Sequence, residues 1–160
     1  MMNTGKTKVT TPSDREIMIT REFNAPRALV YDAYTRPELI RRWLGVQPGW
    51  SMAVCEVDLR VGGTYRYQWR GPDGMSMGMR GVYWEIVPRE KLVSSEKFDE
   101  AWYQGDAMGT VEFRENAGRT TITTTIRYDS QEIRDAVLKS PMEQGMAAAF
   151  NTLEELLASL

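Results

Sequence analysis

Histidine is missing from this chain altogether, and that absence removes more chemistry than any motif adds. Ser-His-Asp and Cys-His nucleophilic catalysis, zinc held by imidazole and a neutral-pH imidazole base are all excluded. Cysteine is nearly missing too. Cys55 stands alone, so no intramolecular disulfide forms, and a reducing compartment fits. Neither sign of charge is in excess: 20 basic and 22 acidic side chains leave a net charge of -2, which offers no broad attraction to nucleic acid or to an anionic membrane. The small cluster Arg36, Arg41 and Arg42 reads as the wet face of a short helix. No apolar run approaches membrane-spanning length, and Met1 to Asp14 lack the apolar stretch of a signal peptide. The expectation is a cytoplasmic chain with a disordered tail over residues 1–14 and a single domain over residues 15–160, a length that supplies one sizeable core.

What is present belongs to a globular protein, with 42% hydrophobic and 26% charged residues. Glu16 to Phe23 alternates Ile17, Ile19 and Phe23 with Glu16, Thr20 and Glu22, the two-residue period of a strand, although Arg21 interrupts the inner row. Pro26 suits a helix start, with Leu29, Val30, Ala33 and Tyr34 on one face. A second short helix follows from Pro37, with Leu39, Ile40, Trp43 and Leu44 as its stripe. Six strand-like segments come next. The clearest is Thr64 to Arg70, which sets Tyr65, Tyr67 and Trp69 against Arg66, Gln68 and Arg70. Gly62-Gly63, Gly71-Pro72-Asp73-Gly74 and Asn116-Ala117-Gly118 punctuate the run as turns. Trp102 and Tyr103 sit in a longer loop, placed to guard a pocket or to tuck onto the core.

The chain ends in helix. Asp129 with Glu132 is a candidate cap for a short helix through Leu138, and Ser140-Pro141-Met142-Glu143 has the form of an N-cap, first-turn proline and capping-box glutamate. From there Met142, Met146, Phe150, Leu153, Leu157 and Leu160 recur every three or four residues as one apolar stripe. Gly145 beside that stripe suggests close approach by another group.

This order of elements is similar to the helix-grip fold of START-like and birch-pollen-allergen-like proteins, an α+β architecture in which a curved antiparallel sheet of about seven strands wraps a long C-terminal helix. Within it the chain resembles the activator-of-Hsp90-ATPase-like family. The matching stretches are Phe23-Asn24-Ala25-Pro26, Pro37-Glu38-Leu39-Ile40-Arg41-Arg42-Trp43, Asp58-Leu59-Arg60-Val61-Gly62-Gly63, Gly81-Val82-Tyr83-Trp84-Glu85-Ile86-Val87-Pro88 before Leu92-Val93, and Met142 to Leu157. They occur in family order across most of the chain. The resemblance implies a space between sheet and C-terminal helix that accommodates an apolar molecule, and some members of the wider superfamily are cyclases or other enzymes. The family name points to an Hsp90-type chaperone as a partner; Trp43-Leu44-Gly45 departs from relatives that carry a second tryptophan there.

The residues themselves point to the same space. Ten methionines and five tryptophans supply adaptable apolar surface, or simply fill a core. Tyr65, Tyr67 and Trp69 on the sheet, with Met77 and Met79 on the following strand, would face Met142, Met146 and Phe150 on the last helix. Trp43 joins them as a candidate wall residue, and Trp84 fits either a chamber wall or a packed core. No residue is singled out as catalytic, and neither a metal nor an organic cofactor is expected. Asp58 and Arg60 read mainly as a structural ion pair, and Cys55 as a small buried hydrophobe. Three functions follow: a carrier or sensor of an apolar or aromatic small molecule, a chaperone-associated interaction protein, or a pocket-based lyase or cyclase. An exposed apolar or charged patch would favour the second, and a buried Asp or Glu facing the chamber the third. Self-association as a homodimer is left open.

Overall fold

The computed structural model describes residues 6–100 and 105–160; Trp102 and Tyr103 lie outside the described residues. Eight strands, β1 (Lys8–Thr10), β2 (Glu16–Phe23), β3 (Ser51–Val57), β4 (Thr64–Arg70), β5 (Ser76–Val87), β6 (Lys91–Phe98), β7 (Ala107–Asn116) and β8 (Arg119–Arg127), form one antiparallel sheet in the order β1-β2-β8-β7-β6-β5-β4-β3. Among the described residues four α-helices accompany it, α1 (Arg27–Thr35), α2 (Pro37–Ile40), α3 (Gln131–Lys139) and α4 (Met142–Ser159), with a 3-10 turn at Pro72–Gly74. This is the helix-grip arrangement, with α4 against the concave side of the sheet.

The alternation in β2 works as read, with Ile17, Ile19, Arg21 and Phe23 all buried. Arg21 is tolerated inside because its guanidinium lies 3.9 Å from the Glu154 carboxylate of α4 and 5.3 Å from the Phe23 ring centre, so the buried charge has both an opposite charge and a π-face. β1 is a correction to the expected tail. Lys8–Thr10 pairs with Met18–Thr20 of β2; with Val9 as its only apolar residue it is too short to display a period, and the otherwise free edge of β2 gives it a partner.

Other local signals resolve differently from their first reading. α2 is a single turn that continues as tight turns to Gly45, whose φ of +71° favours glycine and lets Trp69 close over it. α3 is capped by Ser130, whose hydroxyl accepts from the Ile133 N–H at 3.2 Å, and not by Asp129. Ser140 does not cap α4. Its hydroxyl turns back and donates to the Val137 carbonyl at 2.5 Å, ending α3 while Pro141 takes the first position before α4. Gly145 is exposed and a β-carbon there would meet nothing within 4 Å, so among the described residues no group approaches it. Trp84 belongs to neither wall nor core: a register shift between Tyr83 and Glu85 leaves it 60% exposed.

Two apolar clusters fill the grip. The larger joins β2, β7 and β8 to α1 and α4 through Ile17, Ile19, Phe23, Phe113, Ile122, Phe150 and Leu153. The smaller gathers Ile40, Met52, Cys55, Tyr65, Tyr67, Trp69 and Tyr83 at the β3–β5 end.

Candidate ligand pocket

Strand register decides which side chains reach the concave face. Tyr65, Tyr67 and Trp69 pair across β4–β5 with Gly81, Met79 and Met77, and Met79 pairs in turn with Phe98 of β6. These residues share the concave side, whose β4 members are buried in the smaller cluster. Between the β5–β6 end of that face and the α3–α4 junction lies a cavity of about 420 Å³, lined by Met77, Phe98, Tyr128, Val137 and Met142 among apolar groups and by Gln68, Ser76, Asp99, Glu100 and Ser140 among polar ones.

Of the nine residues singled out from the sequence, Met77 and Met142 line this cavity, and Met79 pairs across the strands with Phe98, which also lines it. Met146 packs against the larger cluster. Trp43 and Phe150 are sealed within that cluster, their rings stacked at 6.4 Å, and the Trp43 indole N–H donates to the Ala33 carbonyl at 2.8 Å. Trp69 spends its indole N–H on the Leu44 carbonyl and Tyr65 its hydroxyl on the Ser95 carbonyl, each at 2.8 Å. The tyrosine row and the Met142-Met146-Phe150 row therefore belong to separate clusters and do not pack face to face as one chamber wall.

One residue that sequence reasoning passed over is Glu96. In β6, Leu92 belongs to the larger cluster, and the pairings Ser94–Gly109 and Glu96–Ala107 run without a shift, so Leu92, Ser94, Glu96 and Phe98 all point to the concave side. A β-carbon built on Gly109 would come 2.5 Å from Glu96 Oε2, so the carboxyl lies across bare backbone. Burial pushes its pKa up to about 7, because the charged form is poorly solvated there. Glu96 nevertheless keeps part of its surface accessible, and it stands one pleat along β6 from Phe98, which lines the cavity. Nearby, the Tyr67 phenol is pushed well up, first by burial, then by the Tyr83 and Tyr65 phenols, with smaller effects from Cys55 and Glu96. A period of two puts Glu96 on one face with Leu92 and Phe98, but the pairing with β7 settles which face that is.

The remaining candidates take their plainer roles. Asp58 and Arg60 form an exposed pair at 2.8 Å beside the β3–β4 turn. Cys55 is buried and its thiol pKa is raised by that burial, the opposite of nucleophile activation. Among the described residues, no three acidic or cysteine side chains are grouped to hold a metal ion, and no helix is long and apolar enough to cross a membrane.

The sequence matches the family described as activator of Hsp90 ATPase homolog 1-like protein over residues 24–158. The chain belongs to this family. Its fold also matches a crystal structure of a Rhodobacter sphaeroides protein at 30% identity and a TM-score of 0.91, covering 96% of this chain and 99% of that one. A Mycobacterium smegmatis protein is similar at 26% identity and a TM-score of 0.84, with 96% and 98% covered. An activator-of-Hsp90-ATPase-like protein of Aeromonas hydrophila, at 20% identity and a TM-score of 0.65 over 87% of this chain and 93% of that one, shares the fold. No functionally curated protein matches the chain.

Proposed function

We propose that this member of the family binds an apolar or aromatic small molecule in the cavity between the sheet and the α3–α4 junction, acting as a cytoplasmic carrier or sensor. The observation that supports it is the cavity itself, about 420 Å³ with Met77, Phe98, Tyr128, Val137 and Met142 on its walls. Space of that size suits a ligand of one or two rings, and removing apolar surface from water at about 25 cal/mol per Å² supplies affinity without charge. The unbranched Met77 and Met142 side chains can adapt to its outline. The test is titration with the neutral fluorescent probe N-phenyl-1-naphthylamine. Saturable binding is expected for the wild type, and filling the cavity with Met77→Trp should abolish it in a folded protein, since Met77 is 48% exposed and carries little of the core. Binding that is unsaturable, or indifferent to Met77→Trp, counts against the reading.

A second reading, a lyase or cyclase that moves a proton inside the pocket, is favoured by Glu96, a carboxyl poised near neutrality on the concave face. Hydrogen–deuterium exchange at an acidic C–H of a bound ligand, lost in Glu96→Gln, would support it; exchange at the same rate in both proteins would not. The chaperone-partner reading rests on the family name, and the surface available to it is the exposed Leu59, Val61 and Trp84.

A further inference from the structure

The pocket has a distinctive balance of charge. Asp99 and Glu100 line it, and among the described residues no Lys or Arg does. Asp99 is compensated from outside, by Arg66 at 2.6 Å and Arg80 at 3.0 Å, so Glu100 is the acid left to act on the mouth. Deeper along β6, one pleat beyond Phe98 on the same face, comes Glu96. A two-residue step along a strand is about 7 Å, the reach of a short side chain on a ring system held at the cavity. Met79, the cross-strand partner of Phe98, shares that face, and its unbranched side chain can adapt to a ligand extending toward Glu96.

Around Glu96 the concave face holds phenols and small residues: Tyr65 and Tyr67 on β4, Gly81 and Tyr83 on β5, Ala107 and Gly109 on β7. None carries positive charge. Among the described residues no cation lies within ion-pair distance of Glu96; of the buried arginines, Arg21 is matched with Glu154 and Arg134 with Asp135. A carboxylate in such a place is poorly compensated by the protein, whereas the surrounding ring faces favour a cation. We propose that the pocket takes an apolar or aromatic molecule carrying one cationic nitrogen, with Glu96 as the carboxylate that pairs with it. This rests on the pocket reading above and adds the chemical class of the ligand.

The experiment compares two molecules of nearly equal shape, 1-naphthylmethylamine and 1-naphthylmethanol, by calorimetric titration of the full chain at about pH 8, where amine and carboxyl are both charged. The wild type should bind the amine about tenfold or more tightly than the alcohol, the scale of one well-placed charge pair. Glu96→Gln should erase that preference and leave the alcohol's affinity in place. If the two ligands bind the wild type equally, or if the preference survives in Glu96→Gln, the proposal is overturned while the pocket reading stands; if neither binds, both fall. Should Glu96→Gln fail to fold, Gly109→Ala takes its place, because the new methyl group displaces the carboxyl. It should weaken the amine and spare the alcohol, and an unchanged preference there overturns the proposal equally.

Discussion

On the β2–β8–β7 side of the sheet, Ile17, Ile19, Phe23, Phe113 and Ile122 are sealed beneath Phe150 and Leu153 of α4, whereas on the β6–β5–β4 side the concave face carries phenols and a carboxylate among its rings. Both sides use aromatic residues. In the sealed half Phe23 meets Phe150 edge to face at 5.6 Å, Tyr34 meets Phe113 likewise at 5.3 Å and Trp43 stacks on Phe150, which locks one packing arrangement. In the other half Tyr65 and Trp69 are anchored to backbone carbonyls, and the cavity opens past them. The contrast teaches that a grip fold divides its work, one half holding the helix and the other holding open a space.

The sealed half is tested most severely by truncations at its centre and at its edge. Phe150→Ala, at 1% exposure, should lose about 3–5 kcal/mol of stability. Met146→Ala, only partly buried at the edge of the same cluster, should lose about 1–2 kcal/mol. Urea denaturation measures both, and equal losses would mean that the sealed half is not sealed.

Next in size is the pH response of the open half. Glu96 has its pKa raised from 4.5 to about 7 by burial, so the folded state holds a proton that the unfolded chain releases. Its contribution is fully present below about pH 4.5 and is lost as pH rises through about 7. Denaturation at stepped pH should show the wild type giving up about 1–3 kcal/mol over that window relative to Glu96→Gln. Parallel profiles for the two proteins would show that the carboxyl is solvated after all.

The smallest effects belong to the helix junction beside the cavity. Ser130→Ala removes the true cap of α3 and should cost about 1 kcal/mol. Gly145→Ala places a methyl group in open space on a helix and should gain about 0.5–1 kcal/mol. Thermal melts resolve both signs, and a loss at Gly145 would reveal a neighbour that the fold does not show.

Much of the fold was legible because it rests on local periodicity. The alternation in Glu16–Phe23 and Thr64–Arg70 and the helical stripe from Met142 to Leu157 each specify a buried face without reference to anything distant. The capping signals were less decisive, since Ser130 and Asp129, or Ser140 and Pro141, compete within one residue and backbone direction settles which hydroxyl reaches an N–H. β1 was invisible because three residues carry no period. The site was the least legible part. Apolar type does not distinguish Phe150, sealed in a core, from Met142, lining a cavity; that depends on how α4 meets the sheet. Glu96 was overlooked because a strand reading Lys91-Leu92-Val93-Ser94-Ser95-Glu96-Lys97-Phe98 mixes polar residues on both faces, and its inward direction comes from pairing with β7.

A small apolar molecule held in the cavity at the open end of the grip would be reported directly by the methionines around it. Met77 and Met142 line that space, while Met75 is exposed on the preceding turn and Met108 lies on the opposite side of the sheet from Gly109. With methyl-labelled methionine, titration of N-phenyl-1-naphthylamine followed by NMR should move the Met77 and Met142 resonances along one saturable curve and leave Met75 and Met108 in place. Shifts confined to Met75 or Met108, or no saturable shift at Met77 and Met142, would contradict the account.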